Sequence, residues 1–275
     1  MTRRIFKSDI LENQISNKGY VKIPFLNEDE LATCREIFNS LDPKLNVPFY
    51  SSIDSKEIEY RREVDRRLHE LLGEKTEALF DSYKTIAHTY IVKIASPDTK
   101  IHLHLDDIHL DQSRFRAVNI WLPLVDVTKE NGCLRVYNGT HRLTKYHRGF
   151  GVDFIYRPYI PILEEGLIDV PVKAGELVVY DDLLIHASWP NLSNSIRPAI
   201  VSGLVPEEAE LWACFQHKDI QEDEVEYFKV DKNFWLTFDK LDRPEKSYPS
   251  LGVFKVQKPN YSEKEFRIKL INLQD

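Results

Sequence analysis

The densest group of possible metal ligands is the stretch KIHLHLDDIHLD, residues 100–111, which contains three histidines and three aspartates. Side chains on a β-strand alternate between its two faces, so His102, His104 and Asp106 would share one face and Asp107 would point away from it. Imidazole and carboxylate ligands at this spacing suit iron(II), manganese or zinc. His-x-Asp occurs twice in the stretch, and the spacing alone does not choose between the two pairs.

A second group of reactive residue types lies in YDDLLIHASWPNLSNSIRPAIVSGL, residues 180–204, which predicts a strand, a turn-rich stretch and another strand. His186 ends the first strand and Arg197 begins the second, so a hairpin would place them near each other on neighbouring strands. His186 would complete a set of two histidines and one carboxylate, which leaves metal positions open for a co-substrate and oxygen. Arg197 offers the bidentate fork that a dicarboxylate co-substrate requires, and Ser188 could donate to the same carboxylate.

The elements that must position these residues begin with a strand and two helices. GYVKIPFL, residues 19–26, predicts a strand, and Asn27 predicts the N-cap of a helix that ends near Leu41. The spacing of apolar residues predicts a second helix from about Glu59 to Tyr83.

From residue 85 onward the chain is rich in short β-prone runs separated by turn residues, which are TYIVKIAS, KIHLHLD, RAVNIWLPLV, CLRVYN, IDVPVKAG, ELVVYDD and AIVSGLVP. Many short strands at this spacing indicate a mainly β protein, either a sandwich or a barrel. We therefore expect one domain over 1–275, with a helical part over about 1–84, a β core over about 85–206 and a C-terminal extension over about 207–275. The EDEVE run in this extension is expected to be a solvated surface.

Composition limits the possible partners and locations of the protein. The net charge is −7, whereas a nucleic-acid-binding protein needs a basic face, so we expect a small-molecule substrate and no nucleic acid. The chain has no apolar run of roughly 20 residues and no signal-peptide pattern at its start, so we expect no membrane association and a cytoplasmic location. The three cysteines lack metal-binding spacing and are expected to be reduced thiols. The oligomeric state, monomer or dimer, stays open.

The order of motifs over about residues 85–205 resembles the phytanoyl-CoA dioxygenase-like family of iron(II)- and 2-oxoglutarate-dependent oxygenases. The N-terminal stretch GYVKIPFLNEDEL is also similar to the family's usual opening. The positions that match the family pattern in order are His104, Asp106, Trp121, Asn131-Gly132, Gly139-Thr140-His141, His186 and Arg197. The resemblance implies a double-stranded β-helix (a jelly-roll, cupin-like core) with the N-terminal helices packed on one side.

The resemblance also implies the metal, its ligands and the co-substrates. It places His104 and Asp106 as ligands of Fe(II) together with His186, in preference to the pair His109 and Asp111. It implies 2-oxoglutarate and O2 as co-substrates, with the distal carboxylate of 2-oxoglutarate bound by Arg197 and Ser188. Halogenating relatives replace the ligand carboxylate with Ala or Gly, so the intact Asp106 favours hydroxylation or another oxidation over halogenation.

The other candidate residues have two interpretations each. Lys93 would contact 2-oxoglutarate or be a lysine at a strand edge, and Trp121 would be pocket wall or core. The candidates for contact with the substrate or for support of the metal ligands are His102, His109, Asp107 and Arg157. Substrate selectivity in the family comes from variable loops, here expected at 44–56 and 142–165.

The expected reaction is hydroxylation of an unactivated C–H bond of a small molecule, with release of succinate and CO2. A substrate from secondary metabolism, such as a toxin or alkaloid, suits a small acidic chain better than a fatty-acyl-CoA does. The alternative is a cupin-like binding or sensor protein in which His102, His104 and His186 hold a structural zinc.

Overall fold

The computed structural model describes residues 3–238 and 243–273, and these residues form helices at the N-terminus and strands through most of the rest. The helices are α1 (Asp9–Lys18), α2 (Glu28–Ser40), α3 (Ile58–Leu79), α4 (Ile160–Glu165), α5 (Lys232–Thr237) and α6 (Glu263–Ile271). The strands are β1 (Tyr20–Pro24), β2 (Phe49–Ser51), β3 (Tyr83–Lys93), β4 (Ile101–His104), β5 (Val118–Pro123), β6 (Leu134–Val136), β7 (Ile168–Val170), β8 (Glu176–Asp181), β9 (His186–Ser188), β10 (Arg197–Pro206), β11 (Leu211–Phe215), β12 (Glu224–Val230) and β13 (Ser250–Lys255). None of the helices in these ranges is long and apolar enough to cross a membrane.

Two antiparallel sheets form the core of the protein. One has six strands in the order β1-β8-β5-β10-β3-β2, and the other has four in the order β4-β9-β6-β7. Side chains from both sheets, such as Trp121 and Val178 from the first and Leu134 and Val170 from the second, pack in one apolar cluster between them. Strands β3 to β10 therefore pass back and forth between two facing sheets, with only the consecutive pair β6 and β7 staying in the same sheet, which is the double-stranded β-helix expected from the family resemblance.

The outer face of the six-stranded sheet is covered by the N-terminal helices. Strand β5 shows how the sequence creates two faces: Ile120 and Leu122 pack in the cluster that contains the buried side of α3, whereas Trp121 packs between the sheets. This alternation follows from the period of two along a strand. The helices therefore stabilise one face and leave the other available for a site.

The structure confirms one predicted helix boundary and corrects another. Asn27 caps α2 with a complete capping box, in which Asn27 and Glu30 each accept a hydrogen bond from the other's backbone N–H. Helix α3 ends at Leu79, before the predicted Tyr83, because Phe80 is extended and its ring stacks on Phe6 at 5.0 Å between centroids. A distant residue thus ends the helix, and local spacing does not contain that information.

The C-terminal extension contains a third sheet, in the order β11-β12-β13, which the sequence analysis did not predict. The expectation that the EDEVE run is a solvated surface is wrong at its end, since Val225 and Glu226 are buried in β12. The buried carboxylate of Glu226 is paired with Arg243 and accepts a hydrogen bond from His217. Burial of this charge is compensated by its two partners.

Candidate metal centre and anion pocket

Three side chains meet at the ends of two neighbouring strands of the four-stranded sheet. His104 ends β4, His186 begins β9, and these two residues are direct partners in the antiparallel register. Asp106 follows β4 by two residues, and its Oδ1 atom lies 3.8 Å from Nε2 of each histidine. All three ligand atoms lie within 4.8 Å of one another, so the group could hold one metal ion.

Backbone hydrogen bonds set the orientation of both imidazoles. Nδ1 of His104 donates to the carbonyl of His102 at 2.8 Å, and Nδ1 of His186 donates to the carbonyl of Leu184 at 2.9 Å. Because Nδ1 carries the proton in each ring, Nε2 presents its lone pair toward Asp106. Burial also lowers the pKa of His186 to about 4, so this ring is neutral at neutral pH, as a metal ligand must be.

Two residues that the sequence analysis missed hold the carboxylate of Asp106. Asn119 donates from Nδ2 to Oδ2 of Asp106 at 2.6 Å, and the Tyr180 hydroxyl also hydrogen-bonds to this carboxylate. Because Asn119 binds Oδ2 of Asp106, the other carboxylate oxygen of Asp106, Oδ1, faces the two histidines. An available signal for Asn119 was its position two residues before Trp121, which places a polar side chain on the inner face of an apolar strand.

The predicted hairpin between His186 and Arg197 is wrong. Strand β9 belongs to the four-stranded sheet and β10 to the six-stranded sheet, so the two residues lie on facing sheets and not on paired strands. The register partner of Arg197 is Lys93, at the end of β3. Lys93 bridges the two sheets, since its Nζ donates to Oγ of Ser188 at 2.7 Å and to the carbonyl of Trp189.

Lys93 and Arg197 form a buried cationic pocket between the sheets. Their exposed fractions are 0% and 1%, so Lys93 is not at a solvated strand edge. Nε and Nη1 of Arg197 have no hydrogen-bond partner among the described residues, and the guanidinium lies 5.3 Å from the centroid of the Trp121 ring. Trp121 is therefore both core and pocket wall.

The electrostatics of this pocket favour a bound carboxylate. Burial, and then the charge of Arg197, lower the pKa of Lys93 to about 6, and burial lowers the pKa of Arg197 to about 9. A buried guanidinium with unsatisfied N–H groups is strongly destabilising unless an anion pairs with it. The pocket thus fits the distal carboxylate of 2-oxoglutarate, and the neighbouring histidines and aspartate fit the metal that would bind its other end.

Gly132 packs directly against this pocket, which leads to a first prediction. Its φ is +95°, and a Cβ atom there would lie 2.9 Å from the carbonyl oxygen of Trp189 and 3.0 Å from Cδ of Lys93. We expect Gly132→Ala to lose about 1–3 kcal/mol of stability through backbone strain. We also expect it to displace Lys93 and weaken 2-oxoglutarate binding about tenfold, which corresponds to about 1.4 kcal/mol.

Gly175→Ala is the matched control, because Gly175 also has a positive φ, of +81°, but packs against Leu26. It should lose stability in thermal unfolding and keep the affinity for 2-oxoglutarate, measured by isothermal titration calorimetry. Equal affinities in the two variants would show that Gly132 does not shape the pocket.

A cavity of about 80 Å³ borders His104. Its lining comprises His104, Leu105, Asp107, Arg148, Gly149, Val152, Asp153, Phe154 and Ile155. Of the predicted substrate residues, only Asp107 is in this lining. Arg157 is exposed and forms an ion pair with Asp153 at 2.9 Å.

The two remaining candidates lie outside the cavity lining. His109 packs against Trp235, with 4.7 Å between ring centroids, and His102 is exposed. Among the described residues, the metal-binding group includes Asp106 and excludes His102. The alternative zinc site requires His102, His104 and His186. The structure instead brings together His104, His186 and Asp106.

Comparison with known proteins finds relatives that are described as phytanoyl-CoA dioxygenases. The family model described as phytanoyl-CoA dioxygenase (PhyH) matches residues 17–199. Phytanoyl-CoA dioxygenase 1 of Oryza sativa subsp. japonica is 30% identical over 166 residues, which are 54% of this chain and 59% of that protein. Phytanoyl-CoA dioxygenase of Arabidopsis thaliana is 27% identical over 127 residues, 45% of each chain. The chain thus spans about half the length of these curated relatives.

Solved structures share the fold at lower sequence identity. The epimerase SnoN, solved with Fe3+, alpha ketoglutarate and nogalamycin RO, has a TM-score of 0.56 and 18% identity, and the match covers 74% of this chain and 85% of SnoN. The non-heme alpha ketoglutarate dependent carbocyclase SnoK has a TM-score of 0.53 and 20% identity, with 74% and 86% covered. These likenesses support the double-stranded β-helix. With its family model matched over residues 17–199, the chain belongs to the phytanoyl-CoA dioxygenase family.

Proposed function

We propose that the protein is a non-heme Fe(II)- and 2-oxoglutarate-dependent dioxygenase that hydroxylates an unactivated C–H bond of a small molecule. The observation that carries this proposal is the pairing of two sites through β9, which begins with His186 and whose Ser188 accepts a hydrogen bond from Lys93, the register partner of Arg197. One is a group of two histidines and one carboxylate, and the other is a buried guanidinium with unsatisfied N–H groups. A 2-oxo acid with a distal carboxylate is the ligand class that satisfies both sites at once.

Each residue of the site has a role in this proposal. His104, Asp106 and His186 would bind Fe(II), and Asn119 would hold the carboxylate ligand in place. Arg197 would bind the distal carboxylate of 2-oxoglutarate through its N–H fork, with Lys93 and Ser188 beside it. Bound iron with 2-oxoglutarate and O2 would supply the oxidising equivalents for C–H cleavage, while 2-oxoglutarate loses CO2 and becomes succinate.

The cavity beside His104, of about 80 Å³, would receive the reacting part of the substrate. Leu105, Phe154 and Ile155 give it apolar walls, which exclude water and hold a C–H bond toward the metal. His104, which lines the cavity, has a side chain that is 35% exposed, whereas that of His186 is only 6% exposed. We place the substrate among small secondary metabolites, which is supported by the shared fold with enzymes of nogalamycin biosynthesis.

Turnover of 2-oxoglutarate tests the proposed activity. Protein with Fe(II), ascorbate, O2 and 2-oxoglutarate should form succinate slowly, and faster with a suitable molecule from a metabolite library. Mass spectrometry should then show a product that has gained one oxygen atom. An isomeric or dehydrogenated product would contradict hydroxylation and keep the oxygenase assignment. Absence of succinate in protein shown to bind both iron and 2-oxoglutarate would overturn the assignment itself.

A further inference from the structure

Arg148 is a buried arginine that links three separate parts of the chain beside the metal centre. Its Nε donates to the backbone carbonyl of Asp106 at 2.7 Å. One terminal nitrogen donates to Oε1 of Gln112, and the other pairs with the carboxylate of Asp182. The side chains of Arg148 and Asp182 are only 7% and 3% exposed, so this is an interior ion pair.

The position of Asp106 depends on such contacts because it has no strand to hold it. Strand β4 ends at His104, and residues 105–109 belong to no helix or strand. Asn119 holds the carboxylate of Asp106, while Arg148 holds its backbone carbonyl. Together these two contacts fix both ends of the residue.

Arg148 is itself held by the C-terminal sheet. The next residues pair with the edge of β11, since the N–H of Phe150 donates to the carbonyl of Cys214 at 2.9 Å and the N–H of Gln216 donates to the carbonyl of Phe150 at 2.8 Å. A Cβ atom on Gly149 would collide with the same Cys214 carbonyl, so the backbones approach as closely as glycine permits. The loop that carries Arg148 is therefore fastened to a part of the chain that contributes no ligand.

We propose that Arg148 is a positioning residue for the metal ligand Asp106, and that the C-terminal sheet acts on the metal centre through it. This inference rests on the proposed function, because it requires the three-residue group to bind a metal. Residues that orient metal ligands commonly contribute about 10–100-fold to metal affinity. Arg148 also lines the cavity beside His104, so the same side chain contacts the space for the substrate and the backbone of a ligand.

The alternative is that Arg148 and Asp182 only stabilise the fold, and the neighbouring pair of Arg116 and Asp181 provides a matched control. Arg116 pairs with Asp181 at 2.8 Å, and their side chains are 12% and 2% exposed. The two pairs thus have similar burial and adjacent acidic partners. Within the part of the chain that the structure describes, Arg116 pairs with Asp181 and makes no hydrogen bond or ion pair with Asp106, so its loss should reduce stability alone.

Arg148→Lys and Arg116→Lys test the proposal with Mn(II) as the probe. Lysine retains the charge near each aspartate but lacks the fork that reaches several acceptors. We expect Arg148→Lys to weaken Mn(II) binding by at least about tenfold in isothermal titration calorimetry. Arg116→Lys should retain the wild-type affinity, and both should lower the melting temperature by similar amounts.

Asp182→Asn and Asp181→Asn form a second matched pair should an arginine variant fail to fold. Asp182→Asn removes the negative charge that pairs with one arm of Arg148 and should weaken Mn(II) binding, whereas Asp181→Asn should not. Wild-type Mn(II) affinity in folded Arg148→Lys or Asp182→Asn overturns the positioning role and leaves the proposed function intact. Failure of the wild-type protein itself to bind Mn(II) overturns the metal centre, and the positioning role with it.

Discussion

Replacement of His186 with alanine is expected to abolish metal binding and succinate formation. His186 supplies one of three ligand atoms, and Asp106 and His104 alone would leave the ion mostly in water. The loss in Mn(II) affinity should exceed the roughly 10–100-fold that removal of a supporting residue causes, because a direct ligand is lost. Calorimetric titration with Mn(II) and a succinate assay measure the two effects.

His141→Ala is the control for the stability effect of losing a buried histidine. His141 is 7% exposed and His186 is 4% exposed. The Nε2 atom of His141 contacts the carbonyl of Ser16 at 3.0 Å, away from the metal-binding group. His141→Ala should lower the melting temperature and keep the affinity for Mn(II). Retained Mn(II) binding in His186→Ala would show that His186 is not a ligand.

Arg197→Gln is expected to remove most of the affinity for 2-oxoglutarate while metal binding persists. Loss of one partner from a buried ion pair removes about 3–5 kcal/mol, which corresponds to about 150–4000-fold in the dissociation constant. The control ligand is 2-oxopentanoate, which has the same 2-oxo acid end as 2-oxoglutarate but no distal carboxylate. Wild-type protein should prefer 2-oxoglutarate strongly, and the variant should bind the two ligands with similar affinity.

The same variant has an expected effect on stability that a merely structural arginine would not produce. Arg197 is buried and two of its nitrogens have no hydrogen-bond partner among the described residues, so its replacement removes an unpaired buried charge from the ligand-free protein. We expect Arg197→Gln to melt at the wild-type temperature or above it without 2-oxoglutarate. Wild-type protein should gain about 2.7 kcal/mol of stability when 2-oxoglutarate is present at 100 times its dissociation constant. A variant that still gains this stabilisation would contradict the assignment of Arg197 to the distal carboxylate.

Local sequence rules predicted the parts of the protein that depend on local geometry. The capping residue Asn27 marked the start of α2. Strand alternation grouped His104 with Asp106, which do meet, but it was wrong in extending the strand to Asp106 and in adding His102, since β4 ends at His104 and His102 lies outside the metal-binding group. Ordered motifs identified the family, and the family identified the double-stranded β-helix that the structure and the comparisons confirm. The metal and co-substrate roles of the individual residues stay predictions.

Contacts between residues distant in sequence were not predictable in the same way. Phe80 ends α3 because of Phe6, and Lys93 reaches Ser188 across two sheets. Asn119 and Arg148 support Asp106 from a neighbouring strand and from a loop, and neither belongs to a motif. The sheet order decides these contacts, and strand patterns in one sequence do not reveal that order.

A crystal structure with Mn(II) and 2-oxoglutarate, analysed by anomalous diffraction, tests the central claim most directly. We expect one manganese ion bonded to Nε2 of His104, Nε2 of His186 and Oδ1 of Asp106. We also expect the distal carboxylate of 2-oxoglutarate to lie against the guanidinium of Arg197. A manganese ion held without Asp106 or His186, or a distal carboxylate bound away from Arg197, would contradict this claim.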